Sequence, residues 1–359
     1  MSMSTRRAAQ GLAAAALFAL AAFTAWASAG TFQDPLNVPA RMVAAPHTGM
    51  LMAVARAGDH LVAVGPNGRI LVSDGQAGVW RQVEVPTSVD LVAVHFPSPQ
   101  MGWAVGHGGV VLHSSDGGRT WQKQLDGALA AATMVRHYTA RESEGTPGAA
   151  EALSAARQFE HDGPIHPFLD VWFENDQRGF IVGPFNLIFA TEDGGGTWVP
   201  WIDRTENPGV MNLHAVRGSG GEVYLAGEQG LLLKLDRAKQ GFVALPKPYP
   251  GTYFGVLVTP KAVLAFGMRG NVYRTTDAGR TWQKSETGES AGVTAGAVLE
   301  DGRPALVSMS GSLLVGSPEG DQFSRTTLRP VAPMFGVAAA GAGRVAVVGP
   351  HGVRVEPLK

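Results

Sequence analysis

The sequence predicts an all-β chain: a seven-bladed β-propeller with a helical insertion between blades 2 and 3. Three observations carry this. A Gly-x-x-Gly turn between two short apolar runs recurs along the chain. Its copies start at positions 65, 106, 183, 227, 267, 308 and 349, giving steps of 41, 77, 44, 40, 41 and 41 residues. A second motif, Ser/Thr-x-Asp-x-Gly-x-Thr-Trp, sits at the same place in three of the repeats. A period of about 40–45 residues is the length of a four-stranded propeller blade.

The turns follow from backbone sterics. A tight hairpin turn needs positive φ, which costs glycine and asparagine least. Gly65-Pro66-Asn67-Gly68 is the first copy, and Asn186 replaces the second glycine of the third. The sixth is degraded to Ser308-Met309-Ser310-Gly311. The flanking runs, such as Leu61 to Val64 and Arg69 to Val72, are short and rich in β-branched residues, so they read as strands. The one long step contains no further turn or strand set, and therefore reads as an insertion of about 35 residues.

The second motif is the Asp box of BNR repeats. Its copies carry Asp116 and Trp121, Asp193 and Trp198, and Asp277 and Trp282. The carboxylate can accept turn N–H groups, the glycine tolerates the left-handed region, and the tryptophan packs between neighbouring sheets. Asp74 to Trp80 and Asp236 to Phe242 read as worn copies with altered spacing. A feature repeated from blade to blade cannot converge on one site, so these aspartates read as scaffold.

The chain has 359 residues, 47 of them glycine, with a formal net charge of −1. That balance gives no argument for a nucleic-acid partner. The first 29 residues read as a signal peptide: Arg6 and Arg7, an apolar run from Ala8 to Phe23, then Ala27-Ser28-Ala29 with cutting expected before Gly30. The alternative is a retained membrane anchor, for which the run is short. There is no cysteine, hence no disulfide and no cysteine-linked lipid. No later apolar segment is long enough to span a membrane, so the mature chain, residues 30–359, is expected to be soluble in the periplasm or outside the cell.

Closure of the ring is the next question. The seventh repeat has only three strands before the chain ends, so residues 31–40 are expected to supply its outer strand as a clasp. The insertion, residues 126–167, is a blade-to-blade link and must rise on the face that carries the Gly-x-x-Gly turns. Within it Ala149 to Glu160 reads as a helix, with Leu153, Ala156 and Phe159 on one side. Residues 141–148 read as a mobile polar link. The helix could be a lid or docking platform over one mouth of the ring, or a packing decoration.

The candidate partner-binding residues are the turn tips of that face, Asn67, His107, Phe185, Glu228, Arg269 and His351, together with Arg157 and Phe159 of the insertion. Their mixed chemistry suits protein recognition. His107 and His351 have no ligand spacing around them, so no metal and no cofactor is expected.

The Asp boxes, their turns and the period of about 41 residues resemble the photosystem II stability/assembly factor family of BNR-repeat propellers, over about residues 45–358. The resemblance implies seven blades and a role in assembling a membrane complex. The segment from Asp162 to Phe173 resembles the bacterial, non-photosynthetic branch. That branch implies a membrane protein partner, a transporter of the resistance-nodulation-division type. Asp boxes also occur in sialidases, the enzyme alternative. Those enzymes use an arginine triad, a tyrosine nucleophile and a Phe/Tyr-Arg-Ile-Pro start. The start motif is absent, so the expected function is non-enzymatic binding or assembly.

Overall fold

The seven Gly-x-x-Gly turns each join the second and third strands of a separate antiparallel sheet. The computed structural model describes residues 33–75, 77–341 and 343–358; the leader and the first two residues of the expected clasp lie outside the described residues. Blade 1 runs through strands Ala53–Ala57, His60–Val64, Ile70–Ser73 and Trp80–Gln82. Blades 2 to 7 span residues 91–125, 170–200, 213–244, 253–284, 293–327 and 336–357. The first strand of each blade packs against the first strands of its two neighbours, and blade 7 packs against blade 1, which closes the ring.

Side-chain alternation explains why the blades stack. Strand His60–Val64 is buried at every position, because both faces of the sheet are covered. Leu61 and Ala63 join a core shared with blade 7, while Val62 and Val64 join one shared with blade 2. A separate apolar core fills each of the seven junctions between adjacent blades. The ring is thus held by seven interfaces rather than one centre.

Each Asp box closes the turn between the third and fourth strands. Asp116 Oδ1 accepts from the amides of Arg119 and Thr120 at 2.9 Å each, and Oδ2 accepts from the Thr120 hydroxyl at 2.7 Å. The Gly118 amide donates to Ser114 Oγ at 2.8 Å, with Gly118 at φ 85°. Asp193 and Asp277 accept from the amides of Thr197 and Thr281 at 2.8 and 2.9 Å. Hydroxyls of Thr281 and Thr275 hold the Asp277 carboxyl below the usual carboxylate range. Trp121 lies in the core between blades 1 and 2 and Trp198 in that between blades 2 and 3. Trp282 packs half-buried between blades 4 and 5.

Closure differs from the sequence expectation. The sheet of blade 7 has three strands among the described residues, and residues 35–40 add none to it. Pro35–Asn37 forms a short 3-10 turn instead. The Pro35 carbonyl accepts from the Ser88 amide at 2.9 Å, and Lys123 Nζ donates to Asn37 Oδ1 at 2.9 Å. The segment is therefore fastened to blades 1 and 2. Pro35 cannot donate to a strand ladder, and burial of Leu36 between blades 1 and 2 takes the chain away from blade 7. The ring closes by direct packing. The Leu51 amide donates to the Gly349 carbonyl at 3.0 Å. Gly352, at φ 87°, meets the His47 carbonyl so closely that a Cβ would sit 1.7 Å from its oxygen.

The insertion lies between blades 2 and 3 as an antiparallel helix pair, α1 (Gly127–Ser143) and α2 (Ala149–Asp162). Only α2 was expected. Asp126 caps α1 by accepting from the Leu129 amide at 3.1 Å. Arg141, expected in a mobile link, is in the last turn of α1 and pairs with Asp203 at 3.0 Å.

Candidate binding face

Antiparallel order sorts the loops onto two faces. The Gly-x-x-Gly turns and the blade-to-blade links share one, and the Asp boxes lie on the other. On the first face the turn tips are held rigidly by the links. The Asn67 amide donates to Asp90 Oδ1 at 2.9 Å and the Phe185 amide to Asn212 Oδ1 at 2.7 Å. The amides of His107, Met268 and Met309 donate to the carbonyls of Asp90, Thr252 and Gly292 at 2.9, 3.0 and 2.9 Å.

The sequence-derived candidates divide on inspection. Asn67, His107, Phe185, Arg269 and His351 stand exposed at the tips, and Arg157 is exposed on α2. Glu228 is half-buried, with its carboxylate accepting from the Asn212 amide and side chain at 3.1 Å each. Phe159 is not on the surface. It is buried in the core between blades 2 and 3, with its ring 4.7 Å from that of His166; the helix side that looked free in the sequence faces the blades. No cluster of three or more His, Cys, Asp or Glu able to hold a metal ion occurs among the described residues.

Two features of this face were not read from the sequence. The first is an accumulation of apolar surface. Twelve large apolar side chains are exposed among the described residues. Nine of them belong to this face: Met50, Leu129, Ile165, Phe185, Val210, Phe254, Met268, Met309 and Val331. Of the rest, Val79 lies on the Asp-box face, and Met42 and Val43 lie in the approach to blade 1. Exposed apolar residues concentrated on one face are the mark of an interaction surface.

The second is the mouth of the central channel. Met52, Val92, Leu169, His214, Phe254, Thr294 and Phe335 line it, one from each blade. In blades 2, 4, 5 and 6 the residue is the extra one of a β-bulge, which re-aims its side chain. In blades 1, 3 and 7 its amide donates to the second strand, as Met52 does to Val64 at 2.8 Å. The signal was in the sequence. Each of the seven follows a buried apolar residue, and six precede Ala or Gly.

Asp170 is the exception at that next position. It is buried, accepts from the Val216 amide at 2.9 Å and pairs with Arg217 of blade 4. His214 Nδ1 lies 2.9 Å from the Tyr253 carbonyl, so that nitrogen carries the proton. The cavity below the mouth measures about 170 Å³.

The helix pair does not cover this mouth. α1 packs against the outer strand of blade 3, Val199–Pro200, and α2 against Ile202–Arg204. Ala130, Met134, Tyr138, Leu153 and Ala156 belong to the core between blades 2 and 3. The insertion is a buttress beside the ring whose two ends, at Leu129 and Ile165, add exposed apolar residues to the face.

Comparison with known proteins agrees with this architecture. The family model for "Photosynthesis system II assembly factor YCF48" matches residues 49–140 and 158–334. Its gap, residues 141–157, falls on the end of α1, the connection and most of α2. The chain is 32% identical over 129 residues to the photosystem II assembly lipoprotein Ycf48 of Synechococcus sp. (strain CC9902), covering 35% of this chain and 38% of that one. It is 34% identical over 159 residues to the protein of the same name from Prochlorococcus marinus, covering 43% and 46%. The match therefore spans less than half the length of either relative. The solved structure "YCF48 bound to D1 peptide" superposes with a TM-score of 0.63 at 15% identity, covering 91% of this chain and 99% of that one. YCF48 from Cyanidioschyzon merolae gives 0.59 at 16%, covering 89% and 98%. At such identities the likeness is one of fold. Taken with the seven blades and their Asp boxes, the family match over both halves of the ring shows that the chain belongs to the photosystem II assembly factor YCF48 family.

Proposed function

We propose that this chain is a non-enzymatic assembly factor that docks a membrane protein complex on the face carrying the Gly-x-x-Gly turns and the ends of the helix pair. The observation that carries the reading is the collection of nine exposed apolar side chains on that face, three of which, Phe185, Met268 and Met309, sit on turns held by hydrogen bonds to the links. Rigid turns presenting apolar tips lose little entropy on binding. A related propeller, known from its structure with a D1 peptide, supports a membrane protein as the class of partner. The partner proposed here is a transporter of the resistance-nodulation-division type. The site of action is the periplasm, after removal of the leader near Ala29.

The scaffold residues speak for binding rather than hydrolysis. The Asp-box carboxylates are engaged by turn amides and hydroxyls. Burial pushes the phenols of Tyr138, Tyr224 and Tyr253 upward, which makes them poor nucleophiles. The test is a crosslinked pull-down from cell envelopes with the full chain and with Ile165→Ser/Phe185→Ser. Deleting the insertion would open the core between blades 2 and 3, so point substitution is the cleaner probe. The expected result is capture of a polytopic transporter by the parent chain and its loss in the variant. Equal capture by both, or glycosidase turnover by the purified chain, overturns the reading.

A further inference from the structure

Across the ring from the helix pair, the same face carries a second apolar area. Phe254, Met268, Met309 and Val331 are 36%, 40%, 45% and 57% exposed. They come from blades 5 and 6 and the link to blade 7, yet they adjoin. A Cβ built on Gly292 would lie 3.2 Å from the Phe254 ring and 3.7 Å from Met309 Cγ. The Gly267 carbonyl, next to Met268, is 3.8 Å from the same point. A Cβ on Gly311, two residues past Met309, would meet Val331 Cγ1 at 3.4 Å.

The electrostatics of this area are one-sided. Arg269 is exposed beside Met268, and Arg329 is exposed two residues before Val331. The carboxylate in the link packed against the Arg269 turn, Glu289, is already consumed. It accepts from Ser308 and Ser310 hydroxyls at 2.8 and 2.6 Å and from the amides of Ser290 and Ala291 at 2.8 and 2.9 Å. The guanidinium groups at the two ends are therefore left to an incoming partner. Two of the four apolar residues are methionines, whose unbranched thioethers adapt to varied apolar shapes.

We propose that Phe254, Met268, Met309 and Val331 form a docking patch for an apolar segment of a membrane protein chain, with carboxylates at the segment's ends pairing with Arg269 and Arg329. This rests on the proposed role in binding membrane proteins and adds a second contact, separate from Phe185 and the helix pair. It has a chemical consequence. A peroxide that transfers one oxygen to a methionine sulfur is itself reduced to water, and the thioether becomes a polar sulfoxide. Oxidation of Met268 and Met309 should therefore weaken docking.

The test is fluorescence anisotropy with the full chain and a labelled peptide having a leucine–alanine core and glutamate at both ends, against a twin with lysine at both ends. The glutamate peptide should bind at least about tenfold more tightly, a difference of about 1.4 kcal/mol. Arg269→Glu should remove that preference. Met268→Ser/Met309→Ser should weaken binding by about tenfold or more with an unchanged melting temperature. Met268→Leu/Met309→Leu should bind like the parent, and peroxide should weaken the parent but not this variant. Equal binding of the two peptides, parent-like binding by the Ser variant, or equal peroxide sensitivity of the Leu variant overturns the patch. So does binding of phosphatidylglycerol vesicles with no binding of the peptide. If the patch fails while envelope capture still depends on Phe185, the proposed function stands without it; if capture fails while the peptide binds, the reverse holds.

Discussion

Asp170 and Arg217 bridge blades 3 and 4 beside the channel, with Arg217 Nη1 2.5 Å from Asp170 Oδ2. In the other six blades the position of Asp170 is held by Ala53, Ala93, Ala215, Gly255, Ala295 and Gly336. The aspartate also accepts from the Val216 amide, and Arg217 Nη1 donates to the Val216 carbonyl at 2.6 Å. Removing one partner strands the other. Asp170→Ala should lower stability by about 2–4 kcal/mol in urea unfolding, reduced from the fully buried case because Arg217 is partly open to the channel. Asp170→Ala/Arg217→Met should recover more than half of the loss. A double variant no more stable than Asp170→Ala would show that the Val216 amide, not the charge, is the issue.

His95 gives the neighbouring junction, between blades 2 and 3, a pH dependence. Its Nδ1 accepts from the Phe173 amide at 3.1 Å, so the ring is neutral. Burial, then the nearby Arg217, pushes its pKa down to about 3. The unfolded chain takes up this proton near the ordinary value of about 6.5. Between those values the unfolded state binds more protons, so stability falls as pH drops from about 6.5 toward 3. His95→Asn, which keeps an acceptor for Phe173, should make the melting temperature less sensitive between pH 7 and 5. An unchanged slope would assign the loss to other groups.

These two groups illustrate which parts of the molecule the sequence made legible. Turn chemistry and strand periodicity are local, so the seven blades, the Asp boxes and α2 could be read directly. Asp126 followed by an alanine-rich run is an equally local signal for α1, but Arg141, Glu142 and Gly145 made its end look like a polar loop. Ring closure was misread because it is long-range. Nothing near Leu36 states that it packs between blades 1 and 2 rather than beside blade 7. Exposure was misjudged for the same reason: Phe159 lies on an apolar helix side whose covering surface, around Phe168 and Leu187, comes from elsewhere in the chain. The mouth residues were legible only by comparing all seven repeats, since a single Leu-x-Ala carries no meaning alone.

Glu289 shows how a degraded turn can be repaired. The sixth repeat has Ser308 where the other turns begin with glycine, and Glu289 gathers the hydroxyls of Ser308 and Ser310. Burial opposes its ionisation, but bonds from Ser310, the Ala291 amide, Ser308 and the Ser290 amide outweigh that and bring the pKa down to about 2. A lowered carboxyl stabilises the fold above its unfolded value of about 4.5. That contribution is lost as pH falls from about 4.5 through 2. Glu289→Gln should lower the melting temperature at pH 7 and make little difference at pH 2. A loss of equal size at both pH values would mean that the side chain acts by shape alone.

Tyr138 is the latch of the buttress. Its hydroxyl donates to Asp203 Oδ1 at 2.9 Å and accepts from the Ile202 amide at 3.1 Å, while Arg141 holds the other oxygen of Asp203. Tyr138→Phe keeps the ring in the core but leaves a partly buried amide without its acceptor, at a cost of about 1–2 kcal/mol. Where that cost appears decides what the insertion is. If the helix pair opens as its own unit, hydrogen exchange should quicken in α1 and α2 while the amides of blades 5 to 7 keep their protection. If all blades lose protection together, the pair is part of the global core, and the seven junctions unfold as one.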